Sequence, residues 1–278
     1  MENQQILYKI LGTVGIDRDG RHYSLTARKP RTILSLLMLN ANEVVPTSVI
    51  LEELWGVRPP NSAYNTLHTY IFQIRRWLCD TLGTCSSWVT NERLVTEPGG
   101  YVLKVPDEAL DLCQFECLVR RGTTAVHHAE YDEAVHLFDQ ALELWGGGVP
   151  VVPRTAGLIQ AKMTHLQEKR MLATEQRIGA ELALGRHREV IGELSSLVIN
   201  HPMHESLHAK LMIAFYQSGR MSDALDVYRR LRQSVVDDLG LEPCREVQSI
   251  HEAILSADTR LKSYPEMEAL LEGAGAGR

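Results

Sequence analysis

Asn65, Thr69, Phe72 and Arg76 recur at three- and four-residue spacing, with Thr66 and Gln73 beside them and Tyr70 nearer the apolar side. Amide, hydroxyl and guanidinium groups on one helical face are the groups that hydrogen-bond to base edges and phosphates. A solvated outer face has the same periodicity, so this stretch by itself leaves both readings open. A second pattern, His204-Glu205-Ser206-Leu207-His208, is a literal H-E-x-x-H, which puts two imidazoles on one helical face with a carboxylate between them. Ala209 to Phe215 contains no third His, and Leu207, Leu211 and Phe215 give the same helix a packing role, so the structural reading is favoured over a zinc peptidase. Gly146-Gly147-Gly148 lacks the Gly-Lys-Ser/Thr of a phosphate loop, and no Ser-His-Asp order or carboxylate pair stands out. No catalytic residue, metal ligand or cofactor is assigned.

The polar face needs a helix with an apolar back. Leu67, Ile71, Ile74 and Leu78 supply one, falling in a narrow stripe at about 100° per residue. This third helix is expected to start at a cap on Asn61 or Ser62, after the break at Pro59-Pro60, and to reach about Leu82. Before it, Pro30 to Asn40 reads as a first helix, and Thr47 or Ser48 caps a second holding Ile50, Leu51, Leu54 and Trp55. Ile6 to Ile16 alternates as a strand, Asp17-Arg18-Asp19-Gly20 turns, and Arg21 to Leu25 returns. Beyond the third helix, Trp88 to Thr90, Leu94 to Thr96 and Tyr101 to Val105 read as strands, the last two joined through Pro98-Gly99-Gly100. Three helices followed by a β-hairpin describe a winged helix, whose third helix enters the major groove while the hairpin touches the flanking backbone.

Charge divides unevenly along the 278 residues. Residues 1–105 hold 11 Lys+Arg against 9 Asp+Glu, and the remainder 18 against 26, so a net −6 hides a +2 half and a −8 half. One basic half joined to an acidic one is the asymmetry expected when one half meets a polyanion. A hydrophobic fraction of 44% excludes a disordered or fibrous chain. The run Ile33 to Leu39, broken by Ser35, is too short to span a bilayer, and Met1 to Gln5 carries no positive n-region, so neither membrane nor export is expected. Five cysteines, an odd number, then read as reduced thiols in a cytoplasm. Arg229-Arg230-Leu231-Arg232 reads as a solvated helix face rather than a second nucleic-acid site.

After Pro106 the text is helical and repetitive. Gly185-Arg186-His187-Arg188-Glu189-Val190-Ile191 returns as Gly219-Arg220-Met221-Ser222-Asp223-Ala224-Leu225, a spacing of 34 that is the tetratricopeptide period. Ala129 to Val135 is a more distant third copy. The expected organisation is an α+β winged helix-turn-helix over 1–105, an all-α tetratricopeptide-like domain over 106–262 and a disordered tail over 263–278, with a flexible break at Trp145 to Pro153.

Several of these segments, in this order, resemble a known family: Arg28-Lys29-Pro30-Arg31, Leu54-Trp55-Gly56, Asn65 to Tyr70, Ile74-Arg75-Arg76 and Gly100-Tyr101. They are similar to the OmpR/PhoB-type DNA-binding domain, and more narrowly to that of the Streptomyces antibiotic regulatory proteins. Leu207 to Met212 and Asp238 to Pro243 resemble the bacterial transcriptional activator domain that follows it in that family. The resemblance runs to about residue 262 and matches the family's small form, without an added ATPase domain. It implies an activator of antibiotic biosynthesis genes, paired protomers on direct repeats of double-stranded promoter DNA, and recruitment of RNA polymerase. On this pattern Thr66, Thr69, Tyr70, Gln73 and Arg76 face the major groove, while Arg28, Lys29, Arg75, Arg93 and Thr96 anchor phosphates. The turn Gly56 to Asn61, with Arg58, matches the loop offered to polymerase. Phe72-Gln73 departs from the family's usual small residue and Arg, and Trp77 from its Ala; Gln73 can pair with adenine and Phe72 can pack on a thymine methyl. A tetratricopeptide adaptor without DNA affinity is the alternative reading.

Overall fold

A computed structural model describes residues 6–146 and 157–262. The chain forms two compact units, residues 1–120 with 139–172, and residues 121–138 with 173–278. The expected tail at 263–278 and most of the break after Trp145 lie outside the described residues.

The first unit opens with an antiparallel three-stranded sheet, β1 (Ile6–Lys9), β2 (Gly15–Arg18) and β3 (Arg21–Tyr23). Ile6 to Ile16 is therefore not one strand. The N–H groups of Ile10 and Leu11 donate to the buried Asp111 carboxylate at 2.9–3.0 Å, which takes them out of the ladder and folds the segment into a hairpin. The turn at Asp19-Gly20 holds as read, both residues having positive φ.

Helix α1 (Arg28–Met38) starts earlier than Pro30, because proline is tolerated in a first turn where its missing N–H has no partner to lose. A two-residue strand, β4 (Val45–Pro46), leads into α2 (Thr47–Trp55). Pro46 occupies the N-cap position, so neither Thr47 nor Ser48 caps that helix. Helix α3 (Ala63–Leu82) has Ser62 at its N-cap without a side-chain cap bond, and ends at Gly83, whose left-handed backbone lets its N–H reach the Cys79 carbonyl. Trp88 to Thr90 is not a strand: a helical turn, α4 (Ser86–Trp88), runs into a π-helical turn over Val89–Arg93. The hairpin β5 (Leu94–Glu97) and β6 (Gly100–Leu103) follows, and β6 pairs on its other edge with β4. Gly100 is required there, since a Cβ would stand 2.3 Å from the Val45 carbonyl oxygen.

Helix α5 (Asp111–His127) leads away from the winged helix, followed by α6 (Tyr131–Glu143) and α7 (Leu158–Ala183). Within the first unit, Phe115 meets the buried Trp145 ring edge-on at 5.4 Å. Lys162 donates to the Leu39 carbonyl and to Asn40 Oδ1 at the end of α1. The winged helix is thus buttressed by helical segments that follow it in sequence.

The second unit continues with α8 (His187–Asn200), α9 (Glu205–Gln217), α10 (Met221–Leu239) and α11 (Arg245–Leu255), with α9 packed against the other three. The sequence repeat is a backbone repeat. Ala129, Gly185 and Gly219 all have positive φ, at 58°, 79° and 78°, and each precedes the next helix by two residues. Arg229 pairs with Asp226 and Arg232 with Glu242, as a solvated face would. The H-E-x-x-H sits at the start of α9, where His204 meets Glu175 at 3.2 Å and Nδ1 of the buried His208 donates to the His204 carbonyl. Among the described residues no group of three or more His, Cys, Asp and Glu is arranged to hold a metal ion. No helix among them is long and apolar enough to cross a membrane.

Candidate nucleic-acid interface

The back of α3 is buried as its periodicity requires: Leu67, Ile71, Ile74 and Leu78 are all within 2% of full burial. That seals one side of the helix and fixes which residues look outward. Asn65, Thr69, Phe72, Gln73 and Arg76 are exposed, Phe72 at 65%, while Thr66 and Tyr70 are half-buried on the flanks. The Thr66 hydroxyl donates to the Ser62 carbonyl and the Thr69 hydroxyl to the Asn65 carbonyl, at 2.9 and 3.1 Å. With their protons committed to the backbone, both hydroxyls face outward as acceptors, suited to the amino groups of adenine or cytosine.

A layered stack holds the near end of this face. Tyr70 lies against Trp55 with ring centroids 6.4 Å apart, and Lys29 Nζ sits 4.4 Å from the centroid of Trp55. One contact set thereby joins the first turn of α1, the last residue of α2 and the middle of α3. The Tyr101 hydroxyl meets His68 Nδ1 at 3.1 Å, tying β6 to α3. Neither Trp55 nor the Tyr101–His68 pair was assigned a role by the sequence; the apolar spacing of α2 accounts for Trp55 as core and gives no hint of its stacking partner.

The far end is held by arginines. Arg75 Nε and Nη2 both donate to the Leu94 carbonyl, at 3.0 and 2.8 Å, and Nη2 also reaches the Thr96 hydroxyl at 2.8 Å. Burial lowers the Arg75 guanidinium from its ordinary value, the Tyr101 side chain acting against it, and it stays a cation at neutral pH. Arg93 Nη1 donates to the Lys104 carbonyl at 2.5 Å, and its guanidinium lies 5.0 Å from the Trp88 ring and 5.7 Å from that of Tyr8. Burial pushes the Tyr8 hydroxyl up to about 12 despite that arginine, so it stays neutral. Arg75 is thus bonded to the hairpin's backbone and to Thr96, and Arg93 separately to the Lys104 carbonyl just past the end of β6. Arg28, Arg58 and Arg76 are exposed and form no ion pair among the described residues.

A sealed helix back, a polar outer face and a hairpin clamped beside it define a winged-helix transcription regulator of the OmpR type. Residues 20–103 match the family "Transcriptional regulatory protein, C terminal", and residues 110–255 match "Bacterial transcriptional activator domain". The regulatory protein DnrI of Streptomyces peucetius is 40% identical over 94% of this chain and 96% of its own length. The transcriptional regulatory protein MoaR1 of Mycobacterium tuberculosis is 33% identical over 90% and 79%. Among solved structures, Mycobacterium tuberculosis EmbR in complex with a low-affinity phosphopeptide superposes with a TM-score of 0.82 at 29% identity, over 98% of this chain and 69% of that one. The chain belongs to the Streptomyces antibiotic regulatory protein family of transcriptional activators.

Proposed function

We propose that this protein binds double-stranded promoter DNA sequence-specifically and activates an antibiotic biosynthetic gene cluster, two copies sitting on direct repeats and recruiting RNA polymerase in the cytoplasm. The observation that carries the reading is the outer face of α3, polar, exposed and backed by a sealed apolar stripe. Thr66, Thr69, Tyr70, Gln73 and Arg76 read base edges, Gln73 by pairing with adenine. Arg28 and Lys29, at the first turn of α1, hold phosphates, while Arg75, Thr96 and Arg93 set the hairpin at the angle that reaches the flanking backbone. Arg58, exposed after α2, contacts polymerase. Membership of the Streptomyces antibiotic regulatory protein family supports the pathway class.

Binding of the full chain to a promoter duplex, measured by anisotropy against salt and against single base-pair substitutions, tests the assignment. Gln73→Ala is expected to cost about 1–3 kcal/mol and to relax preference at one position, and Arg28→Ala to weaken all duplexes alike and lower the salt slope by about 1. If neither variant changes affinity, α3 is not the reading element.

A further inference from the structure

Helices α8, α9 and α10 of the second unit enclose an open groove of about 270 Å3. Its floor is apolar, made by Leu211 and Phe215 of α9 and Val227 and Leu231 of α10. Ile199, near the end of α8, stands 77% exposed on its rim. The floor side chains are themselves 9% exposed or less, so the apolar surface the groove offers to another segment is its mouth, at Ile199, Pro202 and the half-buried Val198.

The charges around the groove say what kind of segment fits. The half of the chain from residue 106 onward carries 26 acidic residues against 18 basic ones, yet among the described residues no carboxylate lines this groove. Arg230 is the charged residue among those described that line it. Both neighbours in the basic cluster are neutralised, Arg229 by Asp226 and Arg232 by Glu242, while Arg230 is exposed and has no ion-pair partner among the described residues. His208, the other ionisable lining residue, is buried with Nδ1 bonded to the His204 carbonyl, and burial lowers its pKa, so it adds no positive charge at neutral pH. A single unpaired cation over an apolar floor favours a carboxylate set beside apolar side chains.

We infer that the α8–α9–α10 groove is a docking site for an acidic amphipathic helix of a partner protein. The partner seats aliphatic side chains one turn apart against Val198, Ile199 and Pro202 at the mouth of the groove, and sets a carboxylate on Arg230. The site is independent of the α3 face, and does not require that the protein bind DNA.

The test uses the full chain without DNA and a fluorescein-labelled peptide with leucines at i, i+3, i+4 and i+7 and glutamates between them. It is expected to bind, and the same peptide with lysine for glutamate to bind at least about tenfold more weakly. Arg230→Glu, an exposed change that leaves the fold intact by circular dichroism, should weaken the acidic peptide by about tenfold and reduce the preference for it over the basic one. Ile199→Ser should weaken both peptides alike by removing a shared apolar contact. Equal binding of the two peptides, or an Arg230→Glu variant that binds the acidic one undiminished, overturns the inference. So does a protein that is dimeric by sedimentation and becomes monomeric with Ile199→Ser, for then a second copy covers the groove.

Discussion

Arg75 spends most of its donors inside the fold. Its Nε and Nη2 are committed to the Leu94 carbonyl and the Thr96 hydroxyl, so its work is to hold β5 against α3. Arg75→Ala is expected to weaken binding to every duplex while leaving the salt slope unchanged, whereas a phosphate anchor would lower it by about 1. A double-mutant cycle with Thr96→Ala should return a coupling of about 0.5–1.5 kcal/mol in urea unfolding. Two carboxyls, the buried Asp111 and the half-buried Glu175, carry opposite pH signatures. Burial pushes Asp111 up to about 7 although the N–H groups of Leu11, Ile10 and Leu112 pull it down, so the folded chain holds that proton more tightly than the unfolded one. Its contribution to stability is complete below its ordinary value of 3.8 and is lost as pH rises through about 7. At Glu175 burial also raises the carboxyl, but Lys210, Ser206 and His204 outweigh it and hold it below the ordinary range, so its contribution is lost on acidification. Thermal midpoints against pH should show Asp111→Asn flattening the decline toward neutrality and Glu175→Gln flattening the acid limb. The outward residues of α3 were legible from spacing, because a helix repeats its faces regardless of its neighbours. The ties of Arg75 and Arg93 were not, since their partners lie about 20 and 11 residues away on strands whose register is set by tertiary contacts.

Helix α3 and the hairpin β5–β6 were readable because each carries its own signal, an apolar stripe in one and a Pro-Gly-Gly turn in the other. Strand β4 was not, being two residues long and defined only by pairing with β6. The residues Trp88 to Thr90 suit a strand by type, yet helical turns from Ser86 to Arg93 place Val89 in the core and Arg93 over Trp88. Ile6 to Ile16 broke for a similar reason, its N–H groups drawn to Asp111, an acceptor some hundred residues away. The helical repeat, by contrast, was legible down to its turns. At Gly219 a Cβ would meet nothing within 4 Å, so Gly219→Ala tests backbone strain alone and is expected to cost about 1 kcal/mol. Ala129 occupies the matching position at φ 58° and is exposed, so Ala129→Gly should stabilise the chain by about 0.5–1 kcal/mol. Urea unfolding of the two variants checks both signs. A destabilised Ala129→Gly would mean that the third copy does not share the turn.

For the protein as a whole, the net −6 is the sum of a +2 half that carries the α3 face and a −8 half that carries the helical repeat. Non-specific attraction to a polyanion grows with the phosphates neutralised, so under the proposed function so small a positive margin would leave much of the affinity to base contacts and to a neighbouring copy. A chain of this charge balance is expected to show a shallow salt dependence on random DNA and a steeper gain on its own site. Footprinting of the purified full chain on the promoters beside its gene tests that account most directly. The account predicts protection of two direct repeats whose centres lie one helical turn or a whole number of turns apart, about 10–11 bp each, with Gln73→Ala losing protection there. Uniform weak protection of all DNA, or none at concentrations where the folded protein is soluble, would contradict it.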